Sequence, residues 1–298
     1  MNKLEAGVSL VIITFFAGVQ YPFLSGVVAS VSVFAFLTVT NFIGFLIILA
    51  AFWGELFRLT KKQALQSGLL AAEMLMFNIF SLLGSSGMDP SVTSFALTGY
   101  LLFIPLLYFL LRKKVHRRAL IGTGAVLAGL LLALEADPAR LWDARILLLL
   151  IAGFFFALYM VTVEKLCVNA NPSILSMGRM FFGFVSALAC WTAEILITGG
   201  GFTVPDAPGF WNSVIFISVF ICGFYCVVQI YAQRYLSAMD AGLIFSTEVI
   251  FTLLASPLLV RVTGGTAEPI TGFKLAGCAI IVAGVLIAGG VKRGAHEK

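Results

Sequence analysis

Charge is what this sequence has least of. Lys, Arg, Asp and Glu make up 11% of its 298 residues, against roughly 25% in an average soluble domain. A soluble surface needs more charge than this, and no soluble core needs 60% hydrophobic residues. Histidine is nearly missing: His116 and His296 both sit in basic loops or tails. No G-x-x-x-x-G-K-[ST] run occurs, so there is no ATPase engine of that kind. No zinc motif or nucleophile elbow occurs either. An intramembrane enzyme would need His, Asp or Cys gathered at one depth, and the sequence offers no such cluster. Neither enzymatic activity nor a cofactor or metal is expected. The five cysteines are odd in number and lie in or beside apolar runs, as small core residues do. Cys222 and Cys226 form a C-x-x-x-C pair with no histidine nearby, which is weak evidence for a metal.

What is present is long apolar sequence, with mean hydropathy +1.05. A spanning helix needs about 20 mostly apolar residues. Ten such segments can be marked, at 7–28, 32–53, 63–84, 90–111, 119–135, 145–164, 173–197, 210–233, 239–261 and 271–291. The breaks carry charge (RLTKKQ, LRKKVHRR, EADPARLWDAR) or turn formers (GSSGMDPS, NANPS, GGGFTVPDAPG, TGGTAEP). The first segment has the hydropathy of a signal peptide. Its n-region is weak, with Lys3 offset by Glu5, and no small-x-small cleavage site follows. It is expected to stay as the first span. The expected fold is an all-α integral membrane protein of ten transmembrane helices.

In such a protein the net charge of +5 reports orientation rather than nucleic-acid binding. With the N-terminus inside, the cytoplasmic segments hold 14 Lys and Arg. The outer segments hold four: Arg140, Arg145, Arg261 and Lys274. The positive-inside rule then puts both termini in the cytoplasm, across the inner membrane of a cell. Trp53, Trp142 and Trp211 stand at span ends as interfacial anchors.

Two of the spans are copies. Residues 120–133 read LIGTGAVLAGLLLA and residues 275–288 read LAGCAIIVAGVLIA, identical at six positions with a constant offset of 155. They are spans five and ten. Five spans per half is odd, so the second half enters the membrane upside down. The preceding loops agree, since LRKKVHRR is strongly basic and TGGTAEPITG has no Lys or Arg. This is the signature of two inverted five-helix repeats, placed at 1–136 and 137–298. Looser pairs are TFFAGVQYP with GFFFALYMV, TNFIGF with GRMFFGF, and Met88-Asp89 with Met239-Asp240. The glycines at 122, 129, 277 and 284 lie seven apart in each copy and would let backbones approach closely. A packed fifth and tenth span would also serve a homodimer.

The chain resembles the ten-helix, EamA-like branch of the drug/metabolite transporter superfamily. The resemblance rests on the two copies above, on FFAGVQYP in span one, GRMFFGF in span seven and TEVIFTLLASPLL in span nine. An Arg is typical near the start of the second helix of each unit. Arg179 fills that place in the second unit and Asn41 stands there in the first. The resemblance implies a secondary transporter with a central cavity between the halves. Family members move amino acids, other small metabolites and drugs.

Polar groups at membrane depth usually face a bundle interior or a wet cavity. Glu73 sits mid-span in LLAAEMLMF, with Gln66 two turns earlier on the same face. With Gln63 they would line a path from the cytoplasmic end. Glu73 reads either as a proton-coupling or substrate-contact carboxylate, or as a neutral side chain bonded to a neighbouring helix. Span eight carries Tyr225, Gln229 and Gln233 at four-residue intervals on one face. These would line a cavity or make interhelical hydrogen bonds. Arg179 would pair with a substrate carboxylate, snorkel to the surface or clamp a backbone carbonyl. Glu248 lies deep in its span, whereas Glu164 and Glu194 lie near helix ends and read as solvated. Tyr21, Tyr100 and Tyr159 carry hydroxyls in need of partners. These residues, together with Gln20, form the candidate substrate and proton pathway. The expected function is export of a small metabolite such as an amino acid or amphipathic compound by alternating access, driven by a proton or substrate gradient. The alternative is a lipid or lipid-linked-sugar flippase. The expected partners are a small-molecule substrate and the lipid bilayer, with no nucleic acid.

Overall fold

The computed structural model describes residues 1–25, 27, 31–113, 115, 117–133, 143–202, 209–263 and 270–289. The 136/137 boundary between the repeats, His116, His296, Trp142, Lys114, Arg140 and the basic C-terminal tail lie outside the described residues.

Every regular element among the described residues is helical. In chain order they are α1 (Lys3–Ser25), α2 (Val33–Ala51), a short 3-10 helix (Trp53–Arg58), α3 (Lys61–Ser85), α4 (Pro90–Leu97), α5 (Tyr100–Leu110), α6 (Arg117–Ala133), α7 (Ala144–Cys167) and α8 (Pro172–Thr198). Then follow α9 (Phe210–Phe216), a π-helical stretch (Ile217–Tyr225), α10 (Cys226–Ala232), α11 (Ala238–Phe245), α12 (Glu248–Thr263) and α13 (Gly272–Gly289). Among the described residues, eight continuous or joined helices are long and apolar enough to cross a membrane, and the shorter apolar helix Gly272–Ala288 adds to them. This is a multi-pass membrane protein. Only helices keep all backbone bonds within the segment, so an apolar chain without water partners folds this way.

Local chemistry sets the helix ends. Thr60 and Gln63 close a capping box at the start of α3. Gln63 thus accepts a hydrogen bond from the Thr60 backbone N–H at 3.1 Å. Asn171 and Asp143 cap α8 and α7. Hydrogen bonds from the Arg145 side chain hold the Asp143 carboxyl below the usual carboxylate range. The same guanidinium donates to the Ser86 and Gly87 carbonyls, each at 3.2 Å, tying α7 to the end of α3.

The two sequence copies, α6 and α13, pack against each other. A Cβ on Gly122 would lie 2.6 Å from the Gly284 carbonyl oxygen, and one on Gly284 would lie 2.8 Å from that of Gly122. Gly129 and Gly277 repeat the relation at 2.7 and 2.5 Å. Gly122 corresponds to Gly277 in the copies, and Gly129 to Gly284. Each glycine therefore meets the counterpart of its own heptad neighbour, which requires an antiparallel crossing about a local two-fold axis. The glycine faces are used within the chain. Elsewhere, α3 packs on α7 as α10 and the π stretch pack on α1, and α5 packs on α7 as α12 packs on α1. Contacts thus recur when the halves are exchanged, as an inverted repeat demands.

Two of the expected spans are each broken in two. Segment 90–111 divides at Thr98-Gly99 into α4 and α5, and 239–261 divides at Ser246-Thr247 into α11 and α12. Hydroxyls at both breaks turn back onto the preceding turn: Thr98 to the Ser94 carbonyl at 2.8 Å, Ser246 to that of Leu243 at 2.7 Å, and Thr247 to that of Ile244 at 2.7 Å. Such back-bonding bends helices. Met239-Asp240 lies inside the first turn of α11, whereas Asp89 stands at the N-cap before α4.

Candidate substrate cavity

A cavity of about 90 Å³ lies between the halves, room for roughly half a dozen waters at about 10–15 Å³ each. Its walls come from α1 (Gln20, Tyr21), α2 (Thr40, Asn41), α3 (Asn78, Ser81), α5 (Tyr100), α7 (Phe156), α8 (Arg179), the π stretch (Cys222, Tyr225) and α12 (Glu248). Positions along the spans put it at mid-depth, extending toward the face opposite the termini.

Both helix breaks serve it. Tyr100 and Glu248 are the first residues after the two breaks and both line the cavity. Discontinuous helices in corresponding positions of two halves are the usual seat of a transporter's binding site. The Glu248 carboxylate sits at the N-terminal end of α12, where the helix dipole favours negative charge. It is 7% exposed and accepts a hydrogen bond from the Tyr21 hydroxyl at 3.4 Å. Gly18 lets α1 come this close: a Cβ there would lie 2.5 Å from the Glu248 carbonyl oxygen, and the Thr252 hydroxyl donates to the Gly18 carbonyl at 3.0 Å. The Tyr100 hydroxyl donates to the Gly242 carbonyl at 3.0 Å, crossing from α5 to α11.

Arg179 is 8% exposed and remains inside the bundle. Its guanidinium carbon lies 5.4 Å from the Tyr159 ring centroid, and the Cys226 thiol is beside it. Among the described residues no carboxylate forms an ion pair with it. The cavity therefore offers one guanidinium and one carboxylate on different walls, with amides and aromatic rings between them.

The structure brings together Gln20, Tyr21, Asn41, Tyr100, Arg179, Tyr225 and Glu248. It places four other sequence candidates apart. Glu73 is 6% exposed and is not on the cavity wall; its Oε1 accepts from the Thr162 hydroxyl of α7 at 2.8 Å. Gln66 lies two turns nearer the termini, partly exposed. Tyr159 and Gln229 are fully buried on the termini side of the cavity. Glu164 is not a solvated end residue. It takes hydrogen bonds from the Tyr108 hydroxyl, Lys113 Nζ (2.9 Å) and the Ala238 backbone N–H (2.9 Å). Glu194 accepts from the Ser32 hydroxyl at 2.5 Å. Sequence reasoning missed Asn78, Thr40 and Ser81 on the cavity wall. The signal for Asn78 was available, an amide in mid-span one turn beyond Met74.

This is the architecture of a multi-helix membrane protein with a largely apolar cavity, carrying a few polar and charged side chains, at its helix breaks. Residues 144–290 match the EamA-like transporter family, and the chain is consistent with an EamA-like protein of the drug/metabolite transporter superfamily. A solved crystal structure, 18% identical, superimposes with a TM-score of 0.67 over 95% of this chain and 96% of its own; that likeness shows the fold alone. No curated protein matches.

Proposed function

We propose that the chain is a secondary transporter that moves a small amphipathic metabolite of the amino-acid kind by alternating access. The observation carrying this is the cavity itself: Arg179 and Glu248 on separate walls, unpaired with each other, among Tyr21, Tyr100, Tyr225 and Phe156. A guanidinium fork matches a carboxylate. A carboxylate with tyrosine hydroxyls suits an ammonium group, and the rings suit an apolar side chain. The driving force is a proton or substrate gradient, and the direction is export. The Lys and Arg distribution supports both termini in the cytoplasm and an inner-membrane location. The alternative is a lipid or lipid-linked-sugar flippase, which would favour a laterally open basic groove; the single guanidinium of this cavity is thin support for it.

The test compares the medium of cells making the wild type with that of cells making Arg179→Ala or Glu248→Gln at equal membrane levels. A solute exported by the wild type should fall by roughly tenfold or more with either variant, since a charge-assisted hydrogen bond contributes about 1.5–3 kcal/mol. No solute difference between wild type and empty cells, with the protein present in the membrane, would overturn the reading.

A further inference from the structure

Four buried side chains lie between the cavity and the face bearing the termini. Tyr159 and Gln229 are fully buried, Gln233 is 2% exposed and Glu73 is 6% exposed. Each has a polar atom with no hydrogen-bond partner among the described residues: the Tyr159 hydroxyl, Glu73 Oε2, Gln233 Oε1, and both amide atoms of Gln229. They are contiguous with the cavity. Tyr225 at the end of the π stretch, Gln229 of α10 and Gln233 at its C-cap recur at four-residue intervals leading away from it, and Gln233 Nε2 reaches the Met160 carbonyl of α7 at 3.2 Å. Tyr159, one residue earlier on α7, lies under the Arg179 guanidinium. Polar groups at membrane depth are costly to bury without partners. A row of them persists most readily where another state of the protein gives them water.

Beyond this row, at the termini face, stands Glu164. Its carboxylate joins Tyr108 and Lys113 of the first half to the start of α11 in the second half. Thr162, the partner of Glu73, lies two residues before it on α7. The geometry points to a second aqueous path, closed in this structure, running past Tyr159, Gln229 and Gln233 to the termini face, with Glu164 as the clasp that keeps it shut. This rests on the alternating-access reading and names the route that opens when the cavity closes on the other side.

Native cysteines make the path measurable. Cys167 is fully buried three residues after Glu164, and its thiol donates to the Ile230 carbonyl, between Gln229 and Gln233. Cys278 is buried on α13, away from the path. The experiment is site-resolved mass spectrometry of labelling by a water-soluble charged maleimide, on the full chain in liposomes. Wild type, Glu164→Gln and the gentler Tyr108→Phe are compared. Glu164→Gln is expected to raise the Cys167 rate at least tenfold and Tyr108→Phe to raise it less, with Cys278 unchanged in both. A Cys167 rate unchanged in both variants would overturn the proposal, as would a parallel rise at Cys278, which would mean general loosening. The readout needs no substrate. Export with an unresponsive Cys167 leaves the transporter reading standing and removes the path. A responsive Cys167 in a chain that moves no solute leaves the path and removes the transporter reading.

Discussion

Arg179 rests on a tyrosine ring and a thiol rather than on a carboxylate, so its charge is available to whatever enters the cavity. Glu73 is placed differently. Its one hydrogen bond goes to Thr162 across the α3–α7 contact, so any part it takes in coupling acts through the packing of those helices and not by touching cargo. Glu73→Gln keeps an acceptor for Thr162 and should leave folding near the wild type. If Glu73 carries the coupled proton, pH-driven transport in liposomes is lost while exchange of one solute for itself persists; an unchanged pH dependence removes it from the mechanism. Polarity at membrane depth marked Glu73, Arg179 and Glu248 alike in the sequence. Which of them meet in one cavity depends on helix rotation and on contacts such as Gly18 against Glu248, and no single-helix periodicity holds that information.

At the scale of elements, hydropathy located the spans well because twenty apolar residues average over local irregularity. That same averaging hid the breaks at Thr98-Gly99 and Ser246-Thr247 and the π stretch from Ile217 to Tyr225. Each break is a pair of small or hydroxyl residues within an apolar run, too short to lower the mean. Irregular turns of this kind gather at functional sites, and here they position Tyr100, Glu248, Cys222 and Tyr225. The α6–α13 crossing was legible, since glycines at a seven-residue interval in two matching helices leave little else for them to do. Gly129→Leu would drive a side chain into the Gly277 carbonyl and Ile281. Overpacking of this sort costs about 1–3 kcal/mol, so the detergent-solubilised variant should melt at a measurably lower temperature than the wild type, with Gly124→Leu, which has open space, close to unchanged.

For the whole molecule, the reciprocal glycines have one more consequence. A contact in which each helix offers the same face to an inverted copy of itself looks identical whichever half is upright. Packing at that crossing therefore carries no instruction about which way the chain enters the bilayer. That instruction is left to charge in the connecting loops, LRKKVHRR before α6 and TGGTAEPITG before α13. Exchanging those two loops should reverse the sidedness of the protein, read by protease access to a tag at the N-terminus, while the α6–α13 contact stays intact. A molecule assembled this way is held together by sequence that is blind to direction, and pointed by sequence that takes no part in holding it together.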